Sequence, residues 1–412
     1  MKFSACLLLS TAIAAATAMP AFAEPLKAKP LLDARLRYET VDQDGTFVGD
    51  ADAVTLRARI GGELYNKTWS FLIEAEGTYP IVEHYNSGTN SKTQYPIVAD
   101  PANFELNRVQ LQYRGIPKTV VTIGRQRINL DDQRFVGAVG WRQNEQTFDA
   151  ARIENTSIAN LKVDLIYAWS DRTIWGIDGF GTNQQAIEGD NFLANVGYKT
   201  KIGTLTGFAY FVDQDEFAVA NFQRSSKTYG GRFAGSYPLS KAVKLNYAAS
   251  YAHQTDYHRN PNDYDADYYL IEGGVSVKDL TVGAGYEVLG ADGGAPFTSF
   301  QTPLATLHKF QGWADKFLTT PPNGIRDLYG SAAYTLTKVG PFDSIAATVV
   351  YHDYKSDRLS QDYGSEWNLQ LAAKFRKKFT FLLKYADYDA TSFVGNPTTD
   401  TKKFWASIEY TY

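Results

Sequence analysis

From residue 31 to Tyr412 the chain alternates apolar and polar side chains with a period of two, in runs of roughly ten residues. Trp69, Phe71, Ile73, Ala75, Gly77 and Tyr79 form one face of such a run, and Ser70, Leu72, Glu74, Glu76 and Thr78 form the other. The same split separates Val243, Leu245, Tyr247, Ala249 and Tyr251 from Lys244, Asn246, Ala248, Ser250 and Ala252, and Trp367, Leu369 and Leu371 from Glu366, Asn368 and Gln370. A helix cannot sort alternate residues onto opposite sides, whereas a strand must. The pattern predicts eighteen strands, beginning near residues 31, 53, 69, 104, 119, 147, 161, 191, 204, 228, 242, 267, 280, 328, 344, 366, 379 and 402. The sixth and ninth runs carry apolar residues on both faces, so their phase stays open.

The connections narrow the fold class further. Tight links at Asn66-Lys67, 115–118, 200–203, 238–241, Lys278-Asp279 and 376–378 alternate with long ones at 41–52, 80–103, 128–146, 170–190 and 290–327. Short turns at one end and long loops at the other are the habit of an outer-membrane barrel, where turns face the periplasm and loops the exterior. Phe404, Ala406, Ile408, Tyr410 and Tyr412 alternate to the last residue. Left unpaired, that strand would be an aggregation edge, and closing it on Leu32, Ala34, Leu36 and Tyr38 removes the edge. Aromatic residues gather where strands should cross the two membrane surfaces: Tyr65, Trp69, Tyr113, Tyr198, Tyr237 and Phe375 at the turn end, and Tyr79, Trp169, Tyr251, Tyr351 and Tyr385 at the loop end. Mean hydropathy is negative although 14% of residues are aromatic. A membrane barrel reconciles the two, because one face of each strand meets lipid and the other water. No stretch after the first residues approaches the ~18 uninterrupted apolar residues of a membrane-spanning helix. The expected fold is an all-β, eighteen-stranded antiparallel transmembrane barrel, wide enough for an aqueous lumen.

Residues 1–23 have the form of an export signal, with Lys2 before an apolar stretch from Leu7 to Ala18 and an Ala21-Phe22-Ala23 site ahead of Glu24. Cleavage there removes Lys2 and the single cysteine, Cys6, and takes the formal charge from -4 to -5. The mature chain then has no thiol, which excludes disulfides, thiolate metal sites and cysteine nucleophiles. Residues 24–412 show no linker, charge block or low-complexity tract and form one barrel domain. The expected location is the outer membrane of a Gram-negative bacterium.

Arginine is unevenly spread. Of eighteen arginines, eleven fall in residues 24–152. Arg35, Arg37, Arg57 and Arg59 share the inward face of the first two strands and predict a basic strip on one wall of the lumen, suited to anions because guanidinium stays charged and forks onto carboxylates. The same residues could instead pair with Asp33, Glu39, Glu63, Glu74 and Glu76 on that inner surface. The expected pore lining is Arg35, Arg37, Arg57, Arg59, Glu74, Glu76, Arg108, Arg125 and Arg127. Residues 124–149 hold dense charge, three glycines, two of them after Arg134, and a lone Trp141, a mixture fitted to a loop that enters the lumen. That loop is expected to bring Asp131, Asp132 and Arg134 towards the strip, with Arg142 on the same segment. Replacing Arg57 and Arg59 is expected to spare barrel stability, on the premise that both face water.

Residues 124–149 resemble the corresponding part of the alginate-export family of outer-membrane barrels, and 303–316 is similar to that family's long seventh external loop. The resemblance implies an eighteen-stranded barrel with an arginine-rich pore that passes a polyanionic sugar. The function expected is passive transport of polar, preferentially anionic solutes, alginate or related acidic saccharides among them. Its partners are outer-membrane lipid and lipopolysaccharide and the solutes themselves, with no nucleic acid and with a monomer favoured over a trimer.

Enzyme chemistry is poorly represented, and no catalytic residue, cofactor or metal is expected. The five histidines, His84, His253, His258, His308 and His352, sit apart without H-E-x-x-H spacing. Asp263, Asp265 and Asp267 lack the closing glutamate of an EF-hand, where Gly274 stands. His352-Asp353 could imitate the dyad of a surface protease. The alternatives to a channel are therefore an outer-membrane hydrolase and a surface-interaction barrel.

Overall fold

The computed structural model describes residues 24–215, 221–391 and 399–412, so the expected export signal lies outside the described residues. The strands are β1 (Lys27–Gln43), β2 (Ala51–Tyr65), β3 (Trp69–His84), β4 (Asn103–Tyr113), β5 (Thr119–Gln126), β6 (Thr147–Asn155), β7 (Leu161–Arg172), β8 (Ala186–Lys199) and β9 (Thr204–Val212). They continue as β10 (Ser226–Pro238), β11 (Val243–Asp256), β12 (Asp265–Val277), β13 (Leu280–Leu289), β14 (Ile325–Val339), β15 (Phe342–Lys355), β16 (Asp362–Phe375), β17 (Phe379–Asp389) and β18 (Thr401–Thr411). Each pairs antiparallel with the next, and β18 returns to β1, so the eighteen-stranded sheet closes. At the seam Leu36 faces Ile408 and Arg35 faces Glu409, which joins the apolar faces of the first and last strands outside and their charged faces inside.

The sheet sorts its side chains as the alternation requires. Phe71, Ile73, Leu111, Ile153, Leu165, Leu369 and Leu371 are exposed on the outer surface, while Ser70, Glu74, Glu76, Asp164, Glu366 and Asn368 are buried inside. Pairs such as Trp69 with Tyr113 at the turn end and Tyr351 with Trp367 towards the loop end, with ring centroids 4.6 and 4.7 Å apart, belong to the two aromatic belts. Connections at one end are short, such as 66–68, 114–118, 200–203 and 278–279, and those at the other include 85–102, 127–146, 173–185 and 290–324.

The two strands of open phase resolve for one reason. β6 turns Phe148 and Ala150 inward and Ile153 outward, and β9 turns Phe208, Tyr210 and Val212 inward and Leu205 outward. Their inner faces are apolar because the loop half of the barrel holds a hydrophobic core. Ile128, Leu130 and Val136 from the 127–146 loop and Phe300, Leu304, Ala314 and Phe317 from the 290–324 loop pack against Phe148, Phe208, Tyr210, Tyr268, Tyr354, Tyr388 and Trp405 of the wall. The two loops are stitched together by Gly137 N–H donating to the Leu304 carbonyl at 2.9 Å and Thr306 N–H donating to that of Gln133 at 3.1 Å. Val139 stands at φ 50°, a conformation a β-branched residue adopts only under constraint, and its N–H donates to Thr306 Oγ1 at 3.1 Å.

Candidate pore lining and constriction

β1 and β2 pair so that Arg35 stands opposite Arg57, and the period of two places Arg37 and Arg59 on the same inner face. All four are buried, Arg57 at 0% exposure, so the expectation of a water-facing strip does not hold at this level of the barrel. Burying guanidinium without acceptors is costly, and carboxylates surround the strip. Arg35 Nη2 donates to Glu409 Oε1 at 3.1 Å and Arg57 Nη2 to the same oxygen at 2.9 Å, with Asp33 as the second partner of Arg57. Arg59 binds Glu76 and lies 3.3 Å from Glu145 Oε2. Glu74 receives a forked pair from Arg108 at 2.7 and 2.8 Å. Of the acids expected to pair with the strip, Asp33 and Glu76 do so, through Arg57 and Arg59, while Glu39 pairs with Arg142, Glu74 with Arg108, and Glu63 accepts from Ser70.

The 127–146 loop enters the lumen as expected, but it spans the barrel instead of hugging the strip. Its second half meets the strip: Arg35 donates to the carbonyls of Gly140 and Trp141 at 3.2 and 3.0 Å, Arg37 lies over the Trp141 ring at 4.1 Å, and Arg142 donates to Glu39 Oε2 at 3.2 Å. Glu145 is bound by Arg127 at 2.8 Å and by Asn107 at 2.7 Å. Burial pushes the Glu145 carboxyl up, but Arg59 and Arg127 outweigh it and hold the group below the usual carboxylate range. The first half reaches the opposite wall. Asp131 accepts from Asn195 at 2.7 Å, Asp132 pairs with Arg232 at 3.0 Å, and Arg134 donates to Glu287 at 2.7 Å and to Thr302 at 3.1 Å. Asp131, Asp132 and Arg134 therefore do not approach the strip, because their partners sit on β8, β10 and β13.

Arg125 is a second correction. It shares the face of exposed Ile123, opposite buried Thr122 and Gln126, and forks onto Asp149 at 2.8 and 3.0 Å. A strand cannot turn residues 123 and 125 to different sides, so Arg125 is not pore lining. The protease-like dyad also dissolves: His352 bonds Asp327 at 2.9 Å, while Asp353 pairs with Lys355. Asp267 is taken by His253 at 3.0 Å and by Tyr251 and Tyr269.

The structure adds a node that the arginine count overlooked. Inward Lys384 of β17 donates from Nζ to His308 Nε2 at 2.7 Å and lies 3.7 and 4.2 Å from the rings of Trp313 and Trp141. His308 stacks on Trp141 at 4.3 Å, and its Nδ1 bonds Asp315 at 2.7 Å. Asp315 also accepts from Arg142 at 2.9 Å and Lys403 at 3.2 Å. Gly312, at φ 80°, lets the chain turn so close to Tyr354 and Glu366 that the Trp313 and Ala314 N–H groups reach Glu366 Oε1 at 2.5 and 2.8 Å. The signal was present in the inward phase of the last strands, which places Lys403 and Glu409 beside β1 through closure and Lys384 and Glu366 on the next two strands.

The loop half of the interior is thus packed, whereas the turn half is open, with Gln110, Asn246 and Gln370 only half-buried on its wall.

The family model described as Alginate export matches residues 32–283, which includes the 124–149 segment and stops short of 303–316. Among solved structures, the outer membrane protein OpdK of Pseudomonas aeruginosa superposes with a TM-score of 0.69 at 12% identity, over 94% of this chain and 98% of that one. OccAB4 of Acinetobacter baumannii gives 0.68 at 14%, over 94% and 98%, and OpdQ of P. aeruginosa 0.66 at 14%, over 94% and 99%. No curated protein sequence matches. The chain belongs to the alginate-export family and has the fold of an eighteen-stranded outer-membrane β-barrel.

Proposed function

We propose that this protein is a passive channel for small polar solutes, preferentially anions, across the outer membrane of a Gram-negative bacterium. The observation that carries the anion preference is a set of unmet donors. Arg37 and Arg57 are each fully buried; Nε of both and Nη1 of Arg57 find no hydrogen-bond acceptor among the described residues, and Arg37 Nη1 has Asp100 Oδ2 at 3.6 Å, an ion pair beyond hydrogen-bond reach. A buried donor left unpaired costs about 1 to 3 kcal/mol, so an anion admitted when the 127–146 loop, whose Gly140 and Trp141 cover the strip, shifts away gains what the protein leaves unsatisfied. Acidic saccharides fall within that class, and the family description names alginate; the packed loop half favours single solutes over a polymer strand unless the two loops separate.

The test is single-channel recording of the refolded protein in a planar bilayer under a salt gradient. Arg57→Met keeps the stem volume and removes the charge, so the reversal potential should move towards cation selectivity. The shift should shrink at 1 M salt, where the Debye length is ~3 Å. Identical reversal potentials for wild type and variant sink the anion preference. Because Arg57 is buried and paired, this variant should also lower barrel stability, unlike a change at a water-facing site.

Export with cleavage before Glu24 belongs to the same proposal. Intact mass of the membrane-extracted protein should correspond to residues 24–412, and recovery of a soluble periplasmic form would overturn the assignment to the membrane.

A further inference from the structure

The open turn half of the lumen contains a recess of about 310 Å³ in the wall of β10 to β14, lined among others by Arg232, Asn246, Glu272, Thr281, Tyr329 and Ser331. Its floor is bare because Gly274 and Gly283 face each other across β12 and β13, and a Cβ at Gly283 would stand 3.2 Å from the Gly273 carbonyl. One side is an aromatic plane. A Cβ at Gly285 would fall 2.3 Å from Cζ of Tyr329, so this ring lies flat against the glycine backbone, and it lines the recess while its hydroxyl donates to Glu272 Oε1. The lower rim is an uncharged hydrogen-bonding row, with Asn246 Nδ2 donating to Ser276 Oγ at 2.9 Å and Ser276 in contact with Thr281 Oγ1 at 2.9 Å. Arg232 stands at the rim, already paired at 3.0 Å with Asp132 from the loop that spans the lumen.

The charges therefore cancel or go negative: Arg232 is offset by Asp132, and Glu272 has no cationic partner among the described ion pairs. That balance does not favour an anion. What remains is a volume at the small end of ligand sites, a flat apolar face, and donors and acceptors side by side. A pyranose matches each part, because it is uncharged, carries a C–H face that lies on an aromatic plane, and has hydroxyls that both donate and accept.

We infer that this recess is a binding site for a neutral monosaccharide-sized polyol on the lumen wall, opposite and distinct from the basic strip. It rests on the channel reading only for access from the lumen, so binding and conduction are measured separately. Saturation-transfer NMR with D-glucose on the refolded protein in detergent reads binding without requiring conduction, and glucose-dependent interruptions of single-channel current read the same site in a conducting barrel. Tyr329→Leu removes the plane and Gly285→Ala lifts the ring off the wall, and each should raise the half-saturating glucose concentration about tenfold. Tyr329→Phe keeps the plane and should stay within about twofold of wild type. Heat-modifiable electrophoretic mobility checks that each variant has folded, and Gly285→Ala serves if the leucine variant has not. A folded wild-type protein without a glucose signal in detergent, or equal half-saturation in all variants, overturns the site. A normal glucose signal in detergent from a protein that passes no current overturns the channel and leaves the site standing.

Discussion

Leu371→Arg lowers the stability of the barrel in bilayers by about 2 to 4 kcal/mol, while Gln370→Arg leaves it near wild type. Leu371 is 45% exposed on the outer surface, midway between Trp367 towards the loop end and Phe375 at the turn end of β16, with Leu383 of β17 as its cross-strand partner. A guanidinium there meets hydrocarbon. Gln370 lies one residue away on the opposite face, half-buried along the open half of the lumen, where an arginine keeps its water. Leu245→Arg and Asn246→Arg on β11 should differ in the same direction but by less, because Leu245 stands opposite Tyr237 of the turn-end belt, where a charge costs about 0 to 1 kcal/mol, and Asn246 lines the luminal recess. The measurement is the urea midpoint for folding into vesicles. Equal midpoints within a pair would mean that inside and outside have been exchanged.

Acid should release the 290–324 loop. His308 bonds Asp315 through Nδ1 and accepts from Lys384 through Nε2, an arrangement only the neutral ring with its proton on Nδ1 can satisfy. Burial lowers the His308 pKa well below its usual 6.5; Asp315 opposes the shift, and Lys384 and Arg142 reinforce it. Lys403, bound to Asp315, and Arg37, across Trp141, add further positive charge around the node. The docked loop thus favours the deprotonated ring, and its docking is at full strength above the undocked pKa of about 6.5. As pH falls below that value the undocked loop takes up a proton that the docked loop refuses, and docking weakens by about tenfold per pH unit until the depressed pKa is reached. Burial pushes the Asp315 carboxyl up, but His308, Lys403 and Arg142 hold it well below the usual range, so its contribution is lost only under more acidic conditions. The protection factor at Phe310, whose N–H donates to the Leu307 carbonyl, should fall about tenfold per pH unit between pH 6.5 and pH 5, so that the observed exchange rate stays level while the intrinsic rate declines, and His308→Gln should remove the dependence. Exchange that follows only the intrinsic chemical rate over that range would show that the node does not hold the loop.

Much of the candidate site was legible as position and little of it as contact. The inward face of Arg35, Arg37, Arg57 and Arg59 followed from alternation, and so did the pairing of β1 with β2. The entry of residues 127–146 into the lumen followed from a charged, glycine-bearing segment too long for a tight turn. Their destination did not follow, because Arg134 meets Glu287 153 residues away and Arg142 meets Asp315 173 residues away. Arg125 was misplaced for a different reason: it was grouped by charge with its neighbours, although its strand phase already assigned it to the side of Ile123.

The amino-acid sequence by itself determined the number of strands, the lipid and lumen faces of every strand except the sixth and ninth, and the closure of β18 on β1. These properties are local: the side-chain period of two and the cost of a charge in hydrocarbon act within each strand, and neither depends on a distant partner. Only the tertiary structure decided that the arginine strip is sheathed by Glu409, Glu76 and Glu145, that two loops fill one half of the barrel, and that Lys384 and His308 join them to the wall. Those contacts depend on where aperiodic loops come to rest inside the closed cylinder, and burial then obliges each charge to find whichever partner the packing brings within reach.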